Sequence, residues 1–377
     1  MVNNTHNNFN TYREIFNQPS LWREVYNNLL DEEKAIDAFL EPILDTPGLR
    51  IVLTGAGSSA FIGEAAQTII QASTGKLCQP IATTDLVTHA KSLILKDCPT
   101  LVVSFARSGN SPESVEAVRL VNKYVADVKH LVITCNDEGA LAKYCRKNPQ
   151  NTYCVVLPED ANDKALAMTG SFTSMLLSSI LIFGESPIQD YELQFQKMLK
   201  HADSLLSKAE KLREIAETPF QRAIFLGSGP LLGIARECHL KLQELTDGQV
   251  ICKFDSFLGF RHGPRAVADE NSIIVYLHSN DCHANKYEHD LIENISADVR
   301  NIPAILISTD KIIELTHPHQ LDNLNHGNNS LYIVPFTLVG QLLGYFKALH
   351  YGLNPDNPSR TGAISRVVQG VKIYEES

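Results

Sequence analysis

Apolar residues along this chain change their spacing in a regular way. From Tyr12 to Leu44 they recur at helical intervals (Ile15, Phe16, Leu21, Trp22, Val25, Leu29, Leu30), which predicts an N-terminal helical arm. The ten Asn-rich residues ahead of it are expected to fray. From Leu49 onward, short β-branched runs alternate with longer helix-spaced stretches. Arg50–Thr54 precedes a helix to Ala72, Thr100–Ser104 precedes a helix to Val125, Leu131–Thr134 follows, and Tyr153–Leu157 precedes a helix through Ser171 to Phe183. Strands alternating with helices build a parallel sheet covered by helices on both faces, so the chain reads as α/β.

This pattern occurs twice. Arg50–Gly57 matches Arg222–Gly229 at an offset of 172, and Thr100–Val103 matches Ser272–Val275 at the same offset. Leu131–Thr134 falls opposite Ala304–Ile307 at 173, and Tyr153–Val156 is paired with Leu331–Val334 at 178. Four strands repeating in one order predict two copies of one α/β unit. Between them, Asp190–Glu217 is polar, helix-spaced and without Gly or Pro, which makes a helical linker. The expected organisation is an arm over 1–48, a first domain over 49–189, the linker over 190–219, a second domain over 220–353 and a tail over 354–377, where Pro355 and Pro358 end the preceding helix.

Composition narrows the function. A chain of 377 residues is more than one core usually serves. Lys and Arg number 33 against 43 Asp and Glu, a formal charge of −10, which argues against nucleic-acid or anionic-membrane binding. The start lacks the basic and apolar stretches of a signal peptide, and no run approaches the roughly 18 apolar residues of a membrane span. Eight scattered cysteines with no CxxC pair read as reduced thiols, so a cytoplasmic location is expected.

Several clusters could carry chemistry. Gly55-Ala56-Gly57-Ser58-Ser59-Ala60 joins a strand to a helix, a turn that offers backbone N–H groups and a helix dipole to an anion. The same glycines also suit a purely steric turn or a dinucleotide site. A dinucleotide site would want an acidic residue about 20 positions further on, and Asp85 is too far. The loop Ser104-Phe105-Ala106-Arg107-Ser108-Gly109-Asn110-Ser111-Pro112-Glu113 gathers hydroxyls, an amide and a guanidinium, donors suited to a phosphate monoester; Ser111 alone would also serve as a helix N-cap. Glu237, Lys241 and Glu244 lie within an arc of roughly 60° on one helix face, either as a catalytic array or as a solvated stripe. Arg261-His262-Gly263-Pro264-Arg265 holds an imidazole on rigid backbone, where it could move a proton to or from a sugar oxygen. His278, Cys282, His283 and His289 match no zinc spacing, so no metal is expected.

Together these residues resemble the sugar isomerase (SIS) domain family in tandem, and within it the AgaS family of amino-sugar-phosphate isomerases and deaminases. The carriers are Gly55–Ser59, Ser108–Ser111, Glu237–Glu244, Phe260–Pro264 and the tail Arg366–Val371. The chain also looks like the isomerase half of glucosamine-6-phosphate synthase, which shares the ExxxKxxE helix and the His-Gly-Pro turn. The resemblance implies two SIS domains, each a flavodoxin-like parallel sheet flanked by helices, in a homodimer or higher homo-oligomer.

By the same resemblance Ser58, Ser59, Ser108 and Ser111 would hold a sugar phosphate, and Glu244 would move a proton between sugar C1 and C2. His262, lent by a neighbouring subunit, would open the ring, with Glu237 and Lys241 in support. Ala106 stands where the synthase has a serine, so Arg107 or Asn110 would compensate. Two extra residues separate Glu244 from His262, and Arg366 is the nearest tail counterpart of the synthase's lysine. The implied reaction takes D-galactosamine 6-phosphate and water to D-tagatose 6-phosphate and ammonium by acid–base steps, without a cofactor. Alternatives are a ketose/aldose isomerase that releases no ammonium, and a sugar-phosphate-binding regulator, which would need the serine loops but not Glu244 or His262. With no glutaminase domain and no cysteine at the start, ammonia transfer from glutamine is not expected.

Overall fold

The computed structural model describes residues 8–308, 318–323, 329–368 and 370–374. The start up to Asn7 and Gln369 of the tail motif lie outside them. The chain forms two compact units. One comprises Ser20–Asp163, Met168–Tyr191 and Ile364–Ser377, the other Met1–Pro19, Lys164–Ala167 and Glu192–Ala363. Helix α1 (Asn10–Leu44) is the predicted arm; it gives Asn10–Pro19 to the second unit and the rest to the first. Within the first unit its stripe of Leu21, Trp22, Val25, Tyr26, Leu29, Ile36 and Leu40 is buried, as the helical spacing requires.

The first unit continues through β1 (Arg50–Thr54), α2 (Ser58–Thr74), β2 (Leu77–Pro80), α3 (Thr83–Leu93), β3 (Thr100–Ala106), α4 (Pro112–Tyr124), β4 (Val128–Thr134), α5 (Ala140–Lys147), β5 (Thr152–Val156) and α6 (Gly170–Ile182). Its sheet has the order β2-β1-β3-β4-β5, all parallel, with Thr54 opposite Ser104 and Ala106 opposite Thr134. β1 and β3 are buried along their whole length, which explains their unbroken apolar runs. On one face Val52 and Val102 pack against Leu86, Ala117, Leu120 and Val121 of α3 and α4. The strand order reverses direction between β1 and β3, and in such a sheet the crevice beyond the carboxyl ends of those strands is where ligands bind.

The second unit carries α7 (Glu192–Ser207), α8 (Ala209–Glu217), β6 (Arg222–Gly227), α9 (Pro230–Leu245), β7 (Ile251–Asp255), α10 (Phe257–Phe260), β8 (Ser272–Leu277), α11 (Ala284–Ser296), β9 (Ala304–Ser308), β10 (Pro318–Asn323) and α12 (Ile333–His350). Its parallel order, β10-β9-β8-β6-β7, repeats that of the first sheet. The duplication is therefore a duplication of fold, and each half is the expected flavodoxin-like sheet flanked by helices.

Three readings of the pattern need revision. Leu331–Val334 is not the partner strand of Tyr153–Val156: it opens the helical segment that runs into α12, and the fifth strand is β10. The β-branched start of that run misled because the apolar stretch continues to Ala348 and is buried on all sides, so it has neither strand nor amphipathic periodicity. The segment Ser330–His350 is long and apolar enough to cross a membrane, yet from Leu331 to Ala348 it is buried inside its own unit. Second, the short strands β2 and β7 escaped notice because they are sheet edges, with Leu77 and Ile251 exposed. Third, the Asp190–Glu217 stretch is two helices that break at Lys208, and their apolar positions Met198, Leu205 and Leu212 are fully buried in the second unit.

Candidate functional site

Two loops at the carboxyl edge of the first sheet carry the expected phosphate donors. Gly55 ends β1; a Cβ there would lie 2.6 Å from the Ser59 carbonyl, so the tight entry into α2 admits only glycine. Ser58 and Ser59 open α2 and are both buried, with Ser59 Oγ 3.8 Å from Met168 Sδ. After β3 the chain turns through Arg107–Ser111 into α4. Ser111 is the N-cap of α4: its Oγ accepts from Ser114 N at 3.3 Å and donates to Ser114 Oγ at 2.6 Å. The capping role does not remove it from the loop's cavity. Ser59, Arg107, Ser108, Ser111 and Arg366 line one cavity of about 110 Å³, with Ser114 and Met168 beside them.

Ser58 and Asn110 are not in that lining. Asn110 is exposed, and its Oδ1 accepts from Ala140 N at 2.9 Å, supplying an acceptor to the first N–H of α5. It is thus engaged with the start of α5, while Ala106 borders the cavity. Arg107, by contrast, is buried and borders the cavity, and it donates to the Arg366 carbonyl at 2.5 Å. The Arg366 side chain donates from Nε to Asp163 O and from Nη2 to Asn162 Oδ1, both at 2.7 Å. The tail is thereby pinned across the cavity, where Val367 and Val368 also line it.

Asp163 is the residue that sequence reasoning missed. It is 1% exposed, and its carboxylate accepts from the backbone N–H groups of Thr169, Gly170 and Ser171 and from the hydroxyls of Thr169 and Ser171. All thirteen residues of α6 are buried, so water cannot satisfy its first N–H groups, and Asp163 takes that part. An acidic residue ahead of an apolar run is a visible signal, but it sits six positions before Thr169, outside the usual N-cap spacing.

In the second unit α9 presents Glu237, Lys241 and Glu244. Lys241 Nζ lies 2.7 Å from Glu244 Oε2 and 3.4 Å from Glu237 Oε1. The side chains of Glu237 and Lys241 are 0% and 1% exposed and that of Glu244 is 19%, so the solvated-stripe reading fails. The helix is seated by α12, whose Gly340 and Gly344 allow close approach: a Cβ at either would meet Cys238 at 2.5 Å or the Lys241 carbonyl at 2.8 Å. His239, one position after Cys238 on α9, is held neutral; burial, with help from the charges of Arg236, Lys241 and Lys253, pushes its pKa down to about 4. An ammonium thus lies between two carboxylates, one of them partly open to solvent, and fixes their orientation.

His262 follows α10 in an exposed turn. Phe260 anchors that turn in the core, and Arg265 donates to Asn294 Oδ1 of α11 at 2.5 Å and to Asp298 Oδ2, just beyond that helix, at 2.9 Å. Among the described residues no group of three or more His, Cys, Asp or Glu is placed to hold a metal ion. All eight cysteines are free, and Cys282 is exposed.

Comparison with known proteins gives this geometry a family. The SIS domain family matches residues 46–183. Over 97% of its length the chain is 40% identical to the D-galactosamine-6-phosphate deaminase AgaS of Shewanella sp. (strain ANA-3), spanning 92% of that protein. The structure of tagatose-6-phosphate ketose/aldose isomerase from Escherichia coli aligns with a TM-score of 0.89 at 33% identity, covering 98% of this chain and 97% of that one. The C-terminal domain of glucosamine-fructose-6-phosphate aminotransferase from Francisella tularensis shares the fold, at a TM-score of 0.77 and 21% identity over 93% of this chain and 98% of that one. Fold and sequence thus define a protein of two SIS-type α/β units. Within that class, the chain belongs to the AgaS family.

Proposed function

We propose that the chain is a cytoplasmic amino-sugar-phosphate deaminase that converts D-galactosamine 6-phosphate and water to D-tagatose 6-phosphate and ammonium. The observation that carries this reading is the 40% identity, over nearly the whole of both chains, to a D-galactosamine-6-phosphate deaminase. The site chemistry agrees with it. The loops after β1 and β3 offer hydroxyls, backbone N–H groups and Arg107 to a phosphate monoester, while α9 offers carboxylates and a lysine for proton transfer.

In this mechanism His262 assists ring opening to the aldehyde. Glu244 takes the C2 hydrogen as a proton; the electron pair moves into the C1–C2 bond and the C1 oxygen is protonated. Return of the proton to C1 leaves a C2 iminium. Water adds at C2, and ammonium departs to give the ketose phosphate. Lys241 orients Glu244, and Glu237 balances the lysine. Because His262 is exposed on the single chain, its reading as a residue lent to a neighbour in a homo-oligomer is kept as part of the proposal. Mixing inactive Glu244→Gln and His262→Ala subunits should then restore partial activity after subunit exchange.

The E. coli tagatose-6-phosphate ketose/aldose isomerase favours a second reading, isomerisation without loss of nitrogen. One assay separates the two: ammonium release and ketose formation followed side by side from galactosamine 6-phosphate, glucosamine 6-phosphate and their N-acetyl forms, with tagatose 6-phosphate in the reverse direction. Equimolar ammonium and tagatose 6-phosphate from galactosamine 6-phosphate supports the deaminase. Interconversion of tagatose 6-phosphate with its aldose, with no ammonium from any amino sugar, overturns it.

A further inference from the structure

The loop that follows β3 is held from one side. Thr134 Oγ1, at the end of β4, donates to the Ala106 carbonyl at 2.7 Å, and Asn136 Nδ2 donates to the Ser108 carbonyl at 2.8 Å. Leu141 N, in the first turn of α5, donates to the Gly109 carbonyl at 3.1 Å. Three loop carbonyls are thus turned toward the segment that joins β4 to α5. In a planar trans peptide the N–H lies opposite the C=O, so the N–H groups of Arg107, Gly109 and Asn110 point the other way. Asn110 N accordingly lies 3.3 Å from the hydroxyl of Ser108, a residue that lines the cavity. Backbone N–H groups turned to one side attract an anion, and a carbonyl among them would repel it.

Asn136 is itself fixed at three points. Its N–H donates to Thr134 Oγ1 at 3.3 Å, its Oδ1 accepts from Glu138 N at 3.1 Å, and its carbonyl accepts from Gly139 N at 3.1 Å. With the amide oxygen engaged by Glu138 N, the amide NH₂ is the end that faces Ser108. The two loops meet closely at this point: a Cβ at Gly139 would lie 2.8 Å from the Ser108 carbonyl and 3.2 Å from Gly109 Cα, so the contact requires glycine. Asn136 does not line the cavity. It touches the loop that would hold the ligand, not the place of the ligand.

We infer that Asn136 is a positioning residue of the phosphate site: its amide keeps the Ser108 carbonyl turned from the ligand, and so sets the affinity for the phosphate group rather than the rate of proton transfer. The inference rests on the proposed reading of the first-half loops as the phosphate site, and the experiment keeps the two apart.

The test measures binding of inorganic phosphate to the full chain by calorimetry, and KM and kcat by ammonium release from galactosamine 6-phosphate. Asn136→Ala removes the donor, so phosphate affinity should fall about tenfold and KM rise with it, while kcat stays within about twofold of the wild type. Asn136→Asp keeps the shape and the acceptor for Glu138 N but sets a carboxylate oxygen against the Ser108 carbonyl, so at pH 8 its affinity should lie below that of Asn136→Ala. Beside a carbonyl oxygen and a bound anion that carboxyl keeps its proton well above the ordinary carboxylate range, and once protonated it donates. Relative to the wild type at each pH, the affinity of Asn136→Asp should therefore climb from pH 8 to pH 5 and pass that of Asn136→Ala. Loss of charge alone would carry it only to the alanine level, so recovery that stops there overturns the inference. An Asn136→Ala chain with unchanged affinity and KM, or with a lowered kcat at unchanged KM, overturns it too. Should Asn136→Ala fail to fold, Asn136→Ser takes its place, since serine can keep the turn but is too short to reach the Ser108 carbonyl. Wild-type binding of phosphate by Ser108→Ala/Ser111→Ala overturns the first-half reading, and the inference with it; loss of binding there with an unaffected Asn136→Ala removes the inference alone.

Discussion

Replacing Asp163 by Asn changes one atom and should undo the start of α6. In the structure Oδ1 accepts from Gly170 N at 3.0 Å and Thr169 Oγ1 at 2.7 Å, while Oδ2 accepts from Thr169 N at 2.9 Å, Ser171 N at 3.0 Å and Ser171 Oγ at 2.5 Å. The hydroxyls can turn and accept from an amide NH₂, but the backbone N–H groups cannot. With the new nitrogen at Oδ1, Gly170 N loses its acceptor; at Oδ2, both Thr169 N and Ser171 N lose theirs. A buried donor left unmatched costs about 1–3 kcal/mol, and a negative charge at a buried helix N-terminus is worth up to about 2 kcal/mol. The destabilisation should therefore be about 2–4 kcal/mol.

The assay is built into the molecule. Trp22 is the only tryptophan, is fully buried, and donates from Nε1 to Thr173 Oγ1 on α6 at 2.9 Å, so its fluorescence reports on the unit under test. With a urea dependence of about 2 kcal/mol per molar, the midpoint should fall by about 1–2 M. A midpoint within about 0.3 M of the wild type, on the same slope, would refute the argument that Asp163 is what satisfies α6.

Other perturbations test the site and its surroundings. Glu244→Gln keeps shape but removes the base, so kcat should drop by roughly 10²–10⁴ and exchange of the substrate C2 hydrogen with deuterated solvent should cease; exchange at the wild-type rate would take Glu244 out of the chemistry. Ser108→Ala should raise KM and weaken sugar-phosphate binding measured by calorimetry, whereas Ser111→Ala should do so and also cost about 1 kcal/mol of stability through the lost cap of α4. His130 is buried against Tyr144 with its ring 3.0 Å from Asn122 Oδ1, and burial pushes its pKa down to about 4 from 6.5. Between those pH values the unfolded chain takes up a proton that the folded chain refuses, so stability rises with pH across the window and is lost as pH falls from 6.5 towards 4, by about 3 kcal/mol in all. His130→Gln should flatten that part of the urea-midpoint profile, and an unchanged slope would assign the acid loss to other groups.

Local chemistry was legible in the order of residues wherever it depends on near neighbours. Unbroken β-branched runs betrayed the buried strands β1, β3, β6 and β8, because a strand covered on both faces has no polar side to show. Near-constant offsets exposed the duplication, and spacing at i, i+4 and i+7 put Glu237, Lys241 and Glu244 on one face. Tertiary structure decided whatever depends on residues far apart in the chain. How α9 is packed was settled by Gly340 and Gly344, a hundred residues away, which let α12 come close to it at Cys238 and the Lys241 carbonyl. That Pro318–Asn323 is a strand while Leu331–Val334 is not follows from the free edge of β9 and from the depth at which α12 lies, and neither is a property of the segment itself. The same holds for Asp163 and Arg366. Each is an ordinary polar residue in sequence, and its part is set by the buried N–H groups or carbonyls that folding brings to it, because a hydrogen bond sealed from water must be met by whatever the fold places there.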